Sequence, residues 1–361
     1  MIPGFDDREA RGRLGRRPDT GAPNLAESGL RVTDVQTTRA ARPRLLLVDG
    51  HAYAYRAWHA IRELRAPDGR PTNAIYGFIQ TFEKLCHTLQ PSHVAVIWDG
   101  GLAPERLEAL PEYKAQRPEM PDGLRAQLDP IVEWLRARGI ATGCRPGVEA
   151  DDWIASLAVW GRDRDWEVII ASSDKDFMQL VGPDIGLIQP HDPSGRIWTE
   201  QDVREKTGVE PAQIVDWLSL VGDASDNIPG VPGVGPKTAA QLLKRFGSVA
   251  SLLARLSEVE PERIRHALKS SADLIRRNRE LIQLRADLDP GFQPDELAVH
   301  APDVERLKTL YREWGFRTLL TRLENAGRGT PPAQADLFAC AHAPTGEAAA
   351  GEKLDNAARH C

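Results

Sequence analysis

Nine acidic residues stand at spacings that could hold a hard cation. Glu149, Asp151 and Asp152 open an apolar stretch in which Ile154, Leu157 and Ala158 recur at helical spacing. Asp174 and Asp176 follow Val168-Ile-Ile-Ala171, a short apolar run that predicts a strand carrying its acids at the carboxyl end. Asp49 closes Leu45-Leu-Leu-Val48 and Asp99 closes Val94-Ala-Val-Ile-Trp98 in the same manner, and Asp223 and Asp226 sit in Gly-Asp-Ala-Ser-Asp-Asn-Ile-Pro-Gly. Carboxylates brought together repel one another, so such a cluster needs cations to be tolerable. An all-oxygen donor set suits Mg²⁺ or Mn²⁺. Helix starts and strand-end loops favour acids for ordinary reasons, but both motifs on adjacent elements outweigh that explanation.

The elements that must position these acids read as an α/β pattern. Residues 1–43 are expected to be a disordered, solvated extension, rich in Arg, Asp, Gly and Pro. Order is expected from Arg44, with strands ending at Asp49, Asp99 and Asp174 and therefore a shared acidic rim. Ligand sites of open α/β sheets lie at that carboxyl edge. A helix is expected from His51 to about Leu64, carrying Arg56, and another from Asn73 to Leu89. Residues Arg106 to Pro118 carry cations and an aromatic with little apolar periodicity, and read as an exposed, mobile excursion. Asp129-Pro130 is expected to open the next helix, with a short strand near 140–144. A small hairpin follows around 186–189 and 196–198, then a capping box at Thr199 and Asp202. On the helix behind Glu149, Glu149 and Asp152 share a face, whereas Asp151 points elsewhere unless the helix starts after it.

A helix with Ile214, Leu218 and Val221 is expected to end at Gly222. A glycine-punctuated turn leads from it into a second helix starting near Pro236: a helix–hairpin–helix. Its glycines would let backbone N–H groups approach a phosphate. A Walker loop is excluded because Pro236 stands between Gly235 and Lys237. A dinucleotide fingerprint is excluded because Thr238 stands where a third glycine is needed and no strand precedes. Residues 248–325 read as packing helices, and beyond Gly327 the composition turns to Ala, Gly, Pro and Thr.

The composition, 41% hydrophobic and 27% charged, is that of a soluble globular protein. No apolar run approaches the roughly 20 residues that span a bilayer, and the amino terminus lacks signal-peptide order. Cys86, Cys144, Cys340 and Cys361 show no CxxC spacing, which fits a reduced cytoplasm. The net charge of −6 argues against a nucleic-acid partner only superficially. With the nine acids set apart, the remainder is positive, and phosphate binding depends on local patches.

Taken in order and spacing from about Leu45 to Asn325, these segments resemble the 5′ nuclease superfamily, in particular the bacterial 5′–3′ exonuclease/flap endonuclease known as the amino-terminal domain of DNA polymerase I. One departure is Glu105, where many relatives carry an aromatic. The resemblance implies a mostly parallel central sheet flanked by helices (a PIN-like 5′ nuclease core, 44–200) with a helical arch at about 100–125. A helical DNA-binding region with the helix–hairpin–helix would follow at 201–326. It implies two Mg²⁺ (or Mn²⁺) ions, with Asp49, Asp99, Glu149, Asp151 and Asp152 as an inner ligand group. Asp174, Asp176, Asp223 and Asp226 would form a second group. Lys114 and Arg117 match basic arch residues that approach the scissile phosphate, with Tyr113 adjacent. Arg56 and Arg106 match further basic positions. Gly233, Gly235, Lys237 and Thr238 would hold duplex phosphate, with K⁺ at the hairpin. The implied activity is structure-specific cleavage at 5′ flaps, nicks and junctions and of RNA primers, by a monomer associated with the nucleoid. A non-catalytic junction-binding scaffold is the alternative; an RNA nuclease on the same core is disfavoured by the duplex grip.

In the tail (327–361), Gln334-Ala-Asp-Leu337-Phe338 looks like the bacterial pentapeptide that binds the replication sliding clamp. Leu337 and Phe338, side by side in a small and polar context, suit a pocket on a partner.

Overall fold

The computed structural model describes residues 42–326 except 191, 193 and 194. Of the segments expected to be tails, residues 1–41 and 327–361, and with them Gln334, Leu337 and Phe338, lie outside the described residues, whereas Arg42 is held by Asp165 and Asp184. Six strands form one sheet: β1 (Arg44–Asp49), β2 (His93–Trp98), β3 (Ala141–Cys144), β4 (Glu167–Ala171), β5 (Ile185–Ile188) and β6 (Ile197–Trp198). Their order is β3-β2-β1-β4-β5-β6, parallel throughout except for the antiparallel β5–β6 pair. The central strand β1 is a continuous apolar run because it is covered on both faces. Leu45 and Leu47 enter one core and Leu46 and Val48 the other, as the two-residue period of a strand requires.

The first core is shared with α5 (Ala150–Arg162), and the second with α1 (Gly50–Ala60), α2 (Asn73–Leu89) and α4 (Asp122–Ala137); α3 (Pro104–Ala109) is a short helix between β2 and α4. After β6 come α6 (Glu200–Thr207), α7 (Ile214–Val221), α8 (Pro236–Phe246), α9 (Val249–Ala254), α10 (Glu262–Ser270) and α11 (Ala272–Ile282). The helical region does not stand apart: Ile214, Leu218, Leu243 and Ile275 join Leu45, Leu47 and Ile154 in the first core. Among the described residues, no helix is long and apolar enough to cross a membrane.

The chain runs from β1 to β2 and β3 on one side, then returns to β4 on the other side of β1. The sheet therefore has its topological switch point between β1 and β4, where a crevice opens outside the carboxyl ends. Asp49 ends β1 and caps α1, accepting a hydrogen bond from the Ala52 amide at 3.0 Å. Asp174, just past β4, caps a 3-10 turn (Lys175–Leu180) and accepts from the Asp176 amide at 2.8 Å. Such caps stabilise by about 1 kcal/mol each. That explains an acid at those two positions but not the gathering of others beside them.

The strands, the β5–β6 hairpin, the capping box at Thr199 and the helix–hairpin–helix form as the sequence predicts. Two expectations are corrected, and a third in part. The helix after Asp49 stops at Ala60, with Ile61 extended, rather than at Leu64. Helix α4 begins at Asp122, so Pro130 lies inside it instead of opening it. Proline leaves the carbonyl four residues earlier without its helical donor; that residue is Ala126, which is exposed to water, while Leu124 and Gln127 are buried and hold the first turns in place. The Arg106–Pro118 excursion is mostly exposed, as expected, but it is anchored at four positions. Arg106, Leu110, Tyr113 and Lys114 are buried; Leu110 joins the first core, and the polar groups of Arg106, Tyr113 and Lys114 find carboxylate partners that local periodicity cannot reveal.

Candidate active site

Outside the carboxyl ends of β1, β2 and β4 lies a cavity of about 220 Å³ whose wall includes Asp49, Asp99, Asp151 and Asp174. His51, Tyr55, Gln116, Arg117, Ser173 and Ser225 complete its polar lining, so Arg117 is its one Lys or Arg among the described residues. Ser172 stitches two of the acids together: its hydroxyl donates to Asp49 at 2.9 Å and accepts from the Asp174 amide at 3.1 Å. Burial pushes the Asp174 carboxyl up to about 6, reinforced by the charge of Asp226. Burial and the neighbouring Asp174 push Asp151 well above the usual carboxylate range, and burial raises Asp99. Burial also lowers the His51 imidazole, against the pull of Asp49 and Asp99.

A second group adjoins the first. Asp176, Asp223 and Asp226 each present a carboxylate oxygen, all within 4.8 Å of one another. Asp176 Oδ1 is buried without a hydrogen-bond partner. Burial raises this carboxyl far above its normal range, with Asp174, Asp223 and Asp226 adding to the effect. Asp223 goes the other way. Burial would raise it, but the Lys175 ammonium 2.5 Å away and the Ser225 hydroxyl and amide hold it low. Asp226 accepts from Arg117 at 2.8 Å.

Glu149 and Asp152 take neither position. Both project onto one face of α5, toward Arg106, which donates to Glu149 at 2.9 Å and grips Asp152 through two bonds of 2.9 and 2.8 Å. Lys114 pairs with the other oxygen of Glu149. Burial would raise Glu149, yet Lys114 and Arg106 overcome it and hold the group at about 2. The shared face of Glu149 and Asp152 read from the sequence is thus the arginine face. Asp151, although the helix starts before it at Ala150, is the member that reaches the cavity.

The 110–117 segment bridges the two acid groups. The Tyr113 hydroxyl lies 3.2 Å from both Glu149 and Asp226, so a single phenolic proton serves two carboxylates. The Lys114 backbone is left-handed, with φ 56°, and its amide donates to the Asp226 carbonyl at 3.1 Å. Asn227 ties back through a 2.8 Å bond to the Glu112 carbonyl. The result places Lys114, 3% exposed, inside the acid network and leaves Arg117, 40% exposed, on the cavity wall. Arg56 lies exposed on α1. Glu105 is exposed, 3.7 Å from Arg285.

Away from this rim, α7 and α8 flank the glycine-rich turn. The Gly222 and Gly230 backbones pack so closely that a Cβ on Gly230 would fall 2.1 Å from the Val221 carbonyl oxygen. Gly233 is left-handed, with φ 76°. The amides of Gly233, Gly235, Lys237 and Thr238 donate to no described residue, and the Lys237 side chain is exposed.

Sequence reasoning missed Ser172, Lys175, His51 and Ser225. All four stand within two residues of an acid already singled out (Ser172 and Lys175 beside Asp174, His51 after Asp49, Ser225 between Asp223 and Asp226), which is the signal that could have found them. As for a cation, the donor set is all oxygen, one buried carboxylate oxygen has no donor among the described residues, and three acids are pushed toward protonation by burial and by one another's charge. These are features that a hard divalent ion would relieve.

Comparison with known proteins gives a consistent picture. The family described as 5′-3′ exonuclease, N-terminal resolvase-like domain, matches residues 44–208. The 5′-3′ exonuclease, C-terminal SAM fold, matches 209–305. The 5′-3′ exonuclease of Aquifex aeolicus (strain VF5) is 37% identical over 284 residues, covering 79% of this chain and 96% of that one. DNA polymerase I of Bacillus caldotenax is 36% identical over 293 residues, 79% of this chain but 33% of the polymerase, so the chain spans about a third of that relative. Among solved structures, T5 5′-exonuclease with divalent metal ions (zinc) bound superposes with a TM-score of 0.56 at 26% identity, covering 75% of this chain and 99% of that one. The catalytic core of Rad2 in complex with DNA substrate shares the fold, with a TM-score of 0.54 at 17% identity, covering 76% of this chain and 88% of that one.

Proposed function

The chain belongs to the 5′–3′ exonuclease family of metal-dependent nucleases, and on that footing we propose that it hydrolyses DNA phosphodiesters at 5′ flaps, nicks and junctions, and RNA primers, in replication and repair. The observation that carries this reading is the convergence of Asp49, Asp99, Asp151 and Asp174 on one cavity with the Arg117 guanidinium on its wall. Asp49, Asp99, Asp151 and Asp174 would hold one divalent ion, and Asp176, Asp223 and Asp226 a second, with Mg²⁺ or Mn²⁺ the fitting choices. Glu149 and Asp152, saturated by Arg106 and Lys114, would reach an ion only if those pairs exchanged partners. When bound, two such ions supply a hydroxide at neutral pH and charge stabilisation for in-line displacement.

The chain's own residues orient and neutralise. Arg117 faces the cavity and would place positive charge where the reacting phosphate gathers negative charge. Lys114 would contribute similarly after releasing Glu149, and Tyr113 and Arg106 act by holding the 110–117 segment against the acids. Arg56, exposed on α1, would add a backbone contact. At the hairpin, the free amides of Gly233, Gly235, Lys237 and Thr238 and the Lys237 ammonium would grip duplex phosphate without reading sequence, with K⁺ as a fitting occupant. Gln334, Leu337 and Phe338 would tether the nuclease to a sliding clamp and raise its concentration at primer ends.

A 5′-labelled flap duplex tests this directly. Cleavage near the junction with Mg²⁺, abolished by EDTA, is expected. A protein that binds the flap but leaves it intact with Mg²⁺ or Mn²⁺ would instead be a junction-binding scaffold.

A further inference from the structure

We propose that His51 contacts the substrate, donating a hydrogen bond from Nε2 to a non-bridging oxygen of the phosphodiester in the cavity; this rests on the nuclease reading above. The Asp99 backbone amide donates to His51 Nδ1 at 3.1 Å. An amide N–H cannot accept, so Nδ1 must carry a lone pair and the ring proton must sit on Nε2. An imidazolium, protonated at both nitrogens, is incompatible with this bond. The Trp98 ring fixes the plane of the imidazole from an edge-on position, with centroids 5.4 Å apart at 85°. The ring lines the cavity with Asp49 and Asp99, and Nε2 makes no hydrogen bond to any described residue.

Neutrality is what makes the position useful. The cations of this site are drawn onto acids: Lys114 onto Glu149, Arg117 onto Asp226 and Lys175 onto Asp223. A lysine or arginine at position 51, between Asp49 and Asp99, would be captured in the same way. A neutral N–H whose direction is set from behind by a backbone amide stays available, and a phosphate oxygen is the acceptor that the reaction brings. Because that oxygen gains charge as the bond breaks, loss of the donor should fall on turnover more than on affinity.

Asparagine and glutamine separate the two ring nitrogens. His51→Asn keeps an acceptor near the Nδ1 position for the Asp99 amide and removes the outward donor; His51→Gln carries its amide N–H out to the Nε2 position. The measurements are single-turnover cleavage of the flap substrate at saturation and flap affinity in EDTA by fluorescence anisotropy. Expected are rate losses of about tenfold in His51→Ala and His51→Asn, most of the rate kept in His51→Gln, and affinity within twofold of wild type in all three. A full rate in His51→Asn would mean the ring only holds Asp99, and equal losses in His51→Asn and His51→Gln would mean that the outward donor is not what matters; either overturns the proposal. Absence of cleavage by the wild-type protein would instead remove the nuclease reading.

Discussion

On one face of α5 the buried acids Glu149 and Asp152 are matched by Arg106 and Lys114, while on the sheet side Asp151, Asp174 and Asp176 crowd one another and the nearby cations serve other acids. Burial acts in the same direction on both sets. What separates them is countercharge, which holds Glu149 at about 2 and leaves Asp174 at about 6. The first set is electrostatically complete and works as scaffold: Arg106 also donates to the Leu281 carbonyl at 3.0 Å, fastening the helical region to α5. The second set is incomplete in the sense that defines an ion site. Three acids within four positions of sequence thus perform two jobs.

The comparison can be broken by substitution. Asp174→Asn or Asp151→Asn should lower cleavage by on the order of 10³-fold or more. Chemical denaturation in EDTA should find stability unchanged or higher, because a crowding charge is gone. Arg106→Ala should do the reverse at the level of stability, costing about 3 kcal/mol by leaving Glu149 and Asp152 buried without their partner. Equal destabilisation by Asp174→Asn and Arg106→Ala would erase the distinction.

The pH dependence sharpens it, with opposite signs on the two sides. Asp174 is raised from 3.8 to about 6, so the folded state binds its proton more tightly than the unfolded chain does. Its contribution in EDTA therefore falls as pH rises from about 4 to 6 and stays unfavourable above. Glu149, depressed from 4.5 to about 2, stabilises fully above 4.5 and loses this as pH falls toward 2. Denaturation profiles of wild type against Asp174→Asn should diverge above pH 4 and converge when Mg²⁺ is added. Those of wild type against Glu149→Gln should approach one another only in acid. The smallest effect belongs far from both sets: Lys237→Ala should weaken duplex binding a few-fold and reduce its salt slope by about 1, leaving single-turnover cleavage at saturation intact.

Much of this site could be read before any coordinates. Asp49, Asp99 and Asp174 were legible because parallel strands covered on both faces are unbroken apolar runs, and an acid at the end of such a run stands out. The hairpin at Gly222–Gly235 was legible because close backbone packing demands glycine. The division of labour among the acids was not, since it depends on Arg106 and Lys114, which lie 43 and 35 positions before Glu149. Local periodicity gave no sign of that segment's buried anchors, because buried cations leave no apolar pattern. Pro130 misled for a similar reason: its tolerance inside α4 depends on Ala126 lying at an exposed position, a tertiary fact.

The most direct test is calorimetric titration of Mg²⁺ into the wild-type protein and Asp174→Asn at pH 6, in buffers of different ionisation enthalpy to count protons. Crowded acids that share protons until a cation arrives predict binding by the wild type with proton release. Asp174→Asn should then bind at least tenfold more weakly and release fewer protons. Equal affinity and equal proton release in the two proteins would contradict the account.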